Sequence, residues 1–403
     1  MIQLKTLHDR NMASDFRMPG NVKFGVGAHK NLPEEIEKYS PTKIAIVSDK
    51  GVANAGLVKK LENILEQTGV PIFTFTEIVG EPTFKLVETV THKLREENCD
   101  LVIGIGGGSA LDVAKTAAAL LAQEKIAHFL SGREQIGPRS TPCILLPTTS
   151  GTGSEVTMNA IFGDEEQGLK RGIVSPALLP DLAIIDPELT VSCPARVSAS
   201  SGVDAFTHAI ESYISVRGTP LTKIFAEKAM RLFPKYITRA VHNGTDLESR
   251  TGMAWVSALA GVSLANAGVG AVHALAYPLG GKFHIEHGVA NALLMPYVFE
   301  KIGKTCTDEL VEVASFLQLG DYSQHPNKAL DAVVHYLLEL LDTLNLPSTL
   351  KELGIPEDSL PALAESASKV DRLLANTPYK LTEEAIKEIY ENAYFGKVGV
   401  LVK

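Results

Sequence analysis

The sequence has four cysteines, one tryptophan and no long apolar run, and each shortage argues against a class of protein. The cysteines show no C-x-x-C spacing, which argues against a zinc finger or a disulfide framework and fits a reduced compartment. No stretch of about 18 uncharged apolar residues and no signal-type leader is found, so we expect a cytoplasmic protein without membrane segments. Basic residues are in deficit, with 38 Lys+Arg against 47 Asp+Glu, and the net charge of -9 argues against binding to nucleic acid.

What the chain does contain is enough apolar material for a large core. Hydrophobic residues make up 45% of its 403 residues, an ordinary proportion for a globular protein, and the length predicts two packed domains. Strand-like runs at residues 43–49, 71–77, 101–108 and 141–149 alternate with helical patterns at residues 57–69, 84–98 and 110–122. This alternation predicts a Rossmann-like parallel sheet flanked by helices, with ligands at the carboxyl ends of the strands.

The pattern changes after residue 187. Long helical patterns at residues 222–241, 250–267 and 330–344 are separated by Gly or Pro, without convincing strands. We therefore predict a fold of the class α/β plus all-α, with an α/β domain at residues 1–190 and an all-helical domain at residues 191–403. The single tryptophan, Trp255, lies in an apolar helical pattern and is expected in the core.

A glycine-rich loop, residues 104–109, follows a predicted strand and opens a predicted helix. Backbone N–H groups and the helix dipole can hold a phosphate at such a point, and glycine allows the phosphate to approach closely. The loop departs from the usual dinucleotide fingerprint because Ser109 replaces its last glycine, and a turn without a ligand is an alternative. A second polar loop, residues 147–155, also follows a strand and shares the same sheet edge, which favours a bound dinucleotide.

Asp49 ends the first predicted strand. There its carboxylate could accept hydrogen bonds from a ribose diol and would repel a 2'-phosphate, which favours NAD over NADP. The alternative is an aspartate that only caps a helix or a turn.

Four side chains in the second half form a candidate metal site. Asp204 and His208 are spaced i and i+4 in a helical pattern, so both can reach one ion. His273 and His287 lie in apolar or small-residue segments, and the spacing alone leaves His284 open as an alternative ligand. This oxygen and nitrogen set suits Fe(II), Zn(II), Mn(II) or Co(II) rather than an ion that prefers thiolates.

The charge of this ligand set indicates a type of chemistry. A divalent cation with one carboxylate and three neutral imidazoles keeps a net charge of about +1, which suits one anionic alkoxide oxygen. Hydride transfer to a nicotinamide is consistent with such a centre, because the cofactor supplies the redox chemistry and the protein supplies alignment. Solvent or the cofactor ribose would complete the proton transfer.

These motifs resemble the iron-containing (group III) alcohol dehydrogenase family over nearly the whole chain. The resemblance is carried by GGGSALDVAK at residues 106–115, PTTSGTGSE at 147–155, SPALLPDLAIIDPELT at 175–190, GVDAFTHAIESYIS at 202–215 and VHALAYPLGG at 272–281. It implies an NAD-binding domain, a metal-binding helical domain and an active site in the cleft between them. It also implies an NAD-dependent alcohol dehydrogenase that acts on a small primary alcohol, diol or ω-hydroxy acid, or on the corresponding aldehyde.

The resemblance further implies roles for individual residues. It places the metal ligands, through which catalysis would proceed, at Asp204, His208, His273 and His287, with Fe(II) expected and Zn(II) as the alternative. It places the NAD(H) contacts at Asp49, Gly107, Gly108, Ser109, Asp112, Thr148, Thr149, Thr152 and Lys170. Because the family is oligomeric, we expect a homodimer or a higher homo-oligomer.

Two positions depart from the family pattern. Tyr277 stands where many members have a histidine proposed as a proton relay, and a phenol with a pKa near 10 is a poor general base near neutral pH. We therefore assign Tyr277 to the substrate pocket without a relay. Glu81 stands where an asparagine is commoner near the cofactor phosphates, and an anion would be unfavourable there unless it points away.

Three other functions are weighed against a dehydrogenase. A hydroxyacid-oxoacid transhydrogenase with retained NAD is the main alternative, because tyrosine also occurs at the position of Tyr277 in that branch. A dehydroquinate-synthase-like enzyme would need clustered basic residues near the metal, and residues 202–296 do not show them. A binding protein without turnover is disfavoured by the complete motifs. The candidate residues of the substrate pocket are Ala160, Phe162, Leu264 and Phe283.

Overall fold

The computed structural model of the chain describes residues 15–124, 126–130, 135–164 and 169–399. Six strands form one parallel sheet in the order β1-β8-β5-β4-β2-β3, and two more form an antiparallel pair, β6-β7. The strands are β1 (Val22–Phe24), β2 (Ile44–Asp49), β3 (Ile72–Ile78), β4 (Leu101–Gly106), β5 (Cys143–Pro147), β6 (Asn159–Asp164), β7 (Leu169–Val174) and β8 (Leu182–Ile185).

Sixteen α-helices surround and follow the sheet within the described residues. They are α1 (Leu32–Glu37), α2 (Lys50–Asn54), α3 (Leu57–Leu65), α4 (Phe84–Glu96), α5 (Gly108–Leu120), α6 (Ile126–Leu130), α7 (Ala195–Ile214), α8 (Pro220–His242), α9 (Leu247–Ala267), α10 (Ala271–Phe283), α11 (His287–Ile302), α12 (Thr307–Phe316), α13 (Pro326–Thr343), α14 (Leu360–Ser368), α15 (Asp371–Leu374) and α16 (Glu383–Phe395).

The central strands explain why the sequence signal was clear. β4 and β5 are buried along their whole length, because helices cover both faces of a parallel sheet and the strands must be apolar on both sides. The predicted strands correspond to β2, β3, β4 and β5, and the α/β plus all-α class is confirmed. The sequence patterns did not reveal β1, β8 or the β6-β7 hairpin.

From α7 onwards the described residues contain helices and no strand. Residues of α7, α8, α10, α11 and α13 pack into one large apolar cluster, separate from the two clusters that cover the sheet. The division at residues 190 and 191 stays a prediction. Among the described residues no single helix is long and apolar enough to cross a membrane, although α9 and α10, bent by 100° at their junction, pass that test as a pair on length and composition alone.

The expectation for Trp255 was wrong. Its side chain is 40% exposed and stacks on the ring of Phe24, with the ring centroids 3.6 Å apart. Trp255 lies on α9, and Phe24 ends the edge strand β1, so the indole covers the joint between the helical part and the sheet. Apolar spacing along α9 could not show this, because the helix is apolar on several faces.

Candidate metal and nucleotide site

The structure brings the four predicted metal ligands together from three helices. Asp204 and His208 lie one turn apart on α7, His273 lies in the first turn of α10, and His287 begins α11. One ligand atom from each side chain lies within 4.8 Å of all the others. The Nε2 atoms of the three histidines surround Asp204 Oδ1 at 3.7 Å, 3.7 Å and 3.9 Å. His284 is not in this group and ends α10 with a φ of 56°.

The charge states of the cluster favour a bound cation. Burial alone would raise the pKa of the Asp204 carboxyl, but the three imidazoles and the amide of Asn291 outweigh it and hold that pKa at about 2. Burial lowers the pKa of His208. At neutral pH the cluster therefore offers a carboxylate and an imidazole with a free lone pair, as metal ligation requires.

The orientation of His273 tests whether the cluster fits a metal. Its Nδ1 lies 2.6 Å from Glu211 Oε2, and because a carboxylate only accepts, Nδ1 carries the proton and Nε2 carries the lone pair. That Nε2 is buried and has no hydrogen-bond partner among the described residues. The 3.7 Å separation from Asp204 Oδ1 is too long for a hydrogen bond and leaves room for an ion between the atoms. The cluster fits a first-row divalent metal.

Two supporting residues were missed by the sequence analysis. Glu211, 2% exposed, accepts from His273 through Oε2 and from the backbone N–H of Val272 through Oε1 at 2.7 Å. Asn291 donates from Nδ2 to Asp204 Oδ1 at 2.7 Å. The signal was available, since Glu211 follows Asp204 by seven residues on one helix face and Asn291 follows His287 by four.

The glycine loop opens α5 as predicted. Gly107 precedes the helix without a side-chain cap, so the first N–H groups of α5 have no partner from a capping side chain. A Cβ on Gly108 would lie 2.5 Å from Thr152 Cγ2, so only glycine fits between the helix and the second loop. Gly106 has a φ of +155°, which also favours glycine.

The second loop lies beside the first because their strands, β4 and β5, are neighbours in the sheet. Thr148 donates from its backbone N–H to the carbonyl of Gly106 at 2.9 Å and is nearly buried. Thr149 lies 3.6 Å from the position of a Cβ on Gly107, and Ser109 and Thr152 line the cavity described below. The predicted nucleotide contacts of the two loops are therefore close in space, although their role in binding NAD(H) stays a prediction.

Asp49 and Asp112 already have partners within the protein. Asp49 Oδ1 accepts from the backbone N–H of Val52 at 2.9 Å and caps α2, which was the alternative interpretation of this residue. Asp112 accepts from Ser154 Oγ at 2.6 Å and from the backbone N–H of Ile161 at 2.9 Å. Asp112 thus ties α5 to the second loop and to β6, which a sequence motif alone does not reveal.

Glu81 does not repel the site, because it is paired. Its Oε1 lies 2.6 Å from Nζ of Lys170, the lysine expected to reach the cofactor. Lys170 is nearly buried on β7, and its Nζ would lie 2.5 Å from a Cβ on Gly280 of α10. The pair therefore links the segment after β3 to the β6-β7 hairpin, next to α10. The negative charge of Glu81 is balanced by the positive charge of Lys170.

A cavity of about 350 Å³ opens between the cluster and the two loops. Its lining includes all four candidate metal ligands together with Ser109, Asp112, Thr152, Lys170, Tyr277 and Leu264. Among the expected pocket residues, Ala160 and Phe162 belong instead to the apolar core of the sheet, because the period of β6 turns them away from the cavity. Phe283 is not part of the lining either.

Tyr277 lies where a pocket residue should. Its ring centroid is 6.2 Å from that of His287, and the side chain is 7% exposed. Burial raises the pKa of Tyr277, and the nearby charge of Arg372 opposes this rise only in part. A phenol that stays protonated is not a general base, in agreement with the expectation that Tyr277 shapes the pocket.

Comparison with known proteins agrees with this architecture. The family model described as iron-containing alcohol dehydrogenase matches residues 19–187, and that of the C-terminal part of the same family matches residues 198–394. The chain is 41% identical to long-chain-alcohol dehydrogenase 1 of Geobacillus thermodenitrificans, over 93% of this chain and 95% of that protein.

Solved structures of similar proteins have the same fold. An alcohol dehydrogenase from Oenococcus oeni superimposes with a TM-score of 0.90 at 31% identity, over 95% of this chain and 100% of that one. A sulfoacetaldehyde reductase from Bifidobacterium kashiwanohense, solved in complex with NAD+, superimposes with a TM-score of 0.85 at 28% identity, over 95% and 99%. The chain belongs to the iron-containing alcohol dehydrogenase family and is an oxidoreductase of that type.

Proposed function

We propose that the protein is a metal-dependent, NAD(H)-linked alcohol dehydrogenase and aldehyde reductase that acts on a small primary alcohol, diol or ω-hydroxy acid, or on the corresponding aldehyde. Fe(II) is the metal we favour, and Zn(II) fits the same ligands. One observation carries the proposal: a buried carboxylate and three histidines face the same cavity as the uncapped, glycine-bordered start of α5. The names of the matched proteins span long-chain alcohols and sulfoacetaldehyde, so they leave the substrate open.

The protein's own residues perform the binding and alignment. When bound, the metal supplies a Lewis acid for the substrate oxygen, and NAD(H) accepts or donates the hydride. Asp204, His208, His273 and His287 would hold the ion, with Glu211 fixing the tautomer of His273. The N–H groups at the start of α5 would bind the pyrophosphate, since a helix N-terminus attracts anions. Tyr277 would shape the cavity wall next to His287.

The preference for NAD over NADP is part of the proposal and depends on Asp49. Its Oδ1 is occupied as a helix cap, but Oδ2 lies 3.0 Å from the position of a Cβ on Gly106, at the carboxyl edge of the sheet. A second carboxylate oxygen at this edge can accept from a ribose diol and would repel a 2'-phosphate.

The experiment that tests the function is anaerobic. Purified protein is loaded with Fe(II) or with Zn(II), NADH is added, and its absorbance is followed with a panel of small aldehydes and oxo acids. Turnover with free NADH supports the proposal, and the double variant Asp204→Ala, His208→Ala should lose both metal and turnover. If that variant kept its metal and its activity, the mechanism would be wrong.

The same assay separates the alternative function. A hydroxyacid-oxoacid transhydrogenase would retain NAD and would show turnover only when a hydroxy acid and an oxo acid are supplied together. Homo-oligomerisation, a cytoplasmic location and the domain boundary at residues 190 and 191 accompany the proposal as predictions. Size-exclusion chromatography with light scattering tests the first of them.

A further inference from the structure

The cavity beside the metal cluster carries positive charge on residues other than the candidate metal ligands. Its acidic residues outside the cluster, Glu81 and Asp112, are each paired with a lysine. Two arginines line the same cavity, Arg217 and Arg372, and neither forms an ion pair with any residue that the structure describes. Two unpaired guanidinium groups in one cavity attract an anion, because their planar donors match carboxylate-like groups.

Arg372 lies across Tyr277 from the metal cluster. The ring of Tyr277 is next to His287, and the positive charge of Arg372 is close enough to the hydroxyl to oppose the effect of burial on its pKa. The Nη2 of Arg372 also lies 2.9 Å from the position of a Cβ on Gly172, so a larger residue at 172 would displace the guanidinium. Arg372 and the four candidate metal ligands therefore line one cavity, so a single substrate can contact both.

The segment that carries Arg217 is hydrogen-bonded to the segment that follows Arg372. The segment after α7 donates from the Val216 N–H to the carbonyl of Asn376 at 2.9 Å, and Asn376 follows α15, which carries Arg372. Asn376 is buried and donates from Nδ2 to the carbonyl of Val269 at 2.9 Å. One buried asparagine therefore connects both arginine-bearing segments to the wall of the cavity.

The cavity that holds the arginines and the metal cluster also has apolar lining residues. They include Leu264, Ala265, Val269 and Leu373. A short methylene chain would bury apolar area there, whereas a polar chain would lose hydrogen bonds to water.

We propose that Arg217 and Arg372 form a subsite for the terminal anion of the substrate. The substrate would then be a short aldehyde, or its primary alcohol, with a carboxylate or a sulfonate at the far end. This inference rests on the proposed function, because the reacting oxygen must be at the metal cluster. It narrows the substrate class among alcohols, diols and hydroxy acids.

The test compares aldehydes of matched shape on the metal-loaded enzyme with NADH. 4-Oxobutanoate and 3-oxopropane-1-sulfonate carry the two anions, and methyl 4-oxobutanoate is the neutral counterpart. We expect kcat/KM to be at least tenfold higher for one of the anions than for the ester. Arg217→Gln and Arg372→Gln should each lower that ratio about tenfold through KM, because charge-assisted hydrogen bonds are lost. The control Arg231→Gln, a half-exposed arginine of α8 paired with Glu227, should preserve the ratio.

A binding measurement keeps the subsite testable even if no aldehyde turns over. Calorimetric titration of the metal-loaded protein with 4-hydroxybutanoate and with 1,4-butanediol should show tighter binding of the anion, reduced in both arginine variants. Absence of turnover together with this pattern would sink the proposed function and leave the subsite standing. Equal affinity for the anion and the diol would overturn the subsite, and so would variants that raise KM for NADH without altering the ratio between aldehydes.

Discussion

Replacement of Glu211 by glutamine should weaken metal binding without removing a metal ligand. Glu211 uses both carboxylate oxygens as acceptors, at 2.6 Å from His273 Nδ1 and at 2.7 Å from the Val272 N–H. A glutamine of the same shape has one acceptor oxygen, so its NH2 group must face one of these two donors. His273 would then lose the hydrogen bond that holds its lone pair toward the cluster.

The expected loss follows from the role of such supporting residues. Removal of a hydrogen-bond partner behind a metal-binding histidine reduces metal affinity about 10- to 100-fold, or about 1.4–2.8 kcal/mol. Glu211 is 2% exposed, so water does not replace the missing acceptor, and we expect Glu211→Gln toward the upper end of that range. Competition with a chromogenic chelator during Zn(II) titration measures the change in Kd.

A matched control distinguishes an effect on the metal site from the general effect of removing a carboxylate. Glu312→Gln removes a carboxylate that accepts from the hydroxyl of Tyr213 at 2.6 Å and has no contact with the histidines. It should leave the Zn(II) Kd within a factor of two. If Glu211→Gln also stayed within a factor of two, while thermal unfolding of the metal-free protein was unchanged, Glu211 would not support His273 and our reasoning would be refuted.

Three further changes probe the loops and the buried charges. Gly108→Ala should raise the NADH dissociation constant at least tenfold in a fluorescence titration, because the added methyl group would lie 2.5 Å from Thr152 Cγ2. An unchanged dissociation constant would contradict a close approach of the cofactor to this loop. Burial raises the pKa of Glu155 to about 7, so the folded state holds the proton more tightly than the unfolded state does. The free energy of unfolding should therefore fall by about 3 kcal/mol as the pH rises from below the ordinary glutamate pKa to above 7. Chemical denaturation at several pH values should show this fall in the native chain and not in Glu155→Gln. Lys115→Met should lower the free energy of unfolding, measured by urea denaturation, by roughly 3–5 kcal/mol, because Asp112 stays charged and buried without its lysine. The double variant with Asp112→Asn should lose less stability than the sum of the two single variants. Additive losses would show that the two residues do not act as a pair.

Local periodicity was sufficient for much of the architecture. Strands β2, β3, β4 and β5 were predictable because each is an apolar run between turn residues, and the long helices because their apolar positions repeat at helical spacing. Strands β1 and β8 escaped detection because they are only 3 and 4 residues long. The register of β1 against β8 joins segments far apart in the chain, and no local pattern specifies such a pairing.

Part of the candidate site could also be predicted from local sequence patterns. Asp204 and His208 could be assigned to one ion from spacing alone, because residues four apart share a helix face. The same rule reaches Glu211, which shows that the helix dictated more of the site than the motif suggested. For the nucleotide loops, the order of strand, glycine turn and helix predicted the start of α5 as an anion site.

Only the tertiary structure decided which distant residues meet. The packing of α10 and α11 against α7 places His273 and His287 around Asp204 Oδ1, and the approach of the β6-β7 hairpin pairs Lys170 with Glu81. These contacts depend on how helices and loops from separate parts of the chain fill space together. The spacing of residues along a helix predicts on which face of that helix a side chain lies. It does not predict which residue of another helix will pack against that face.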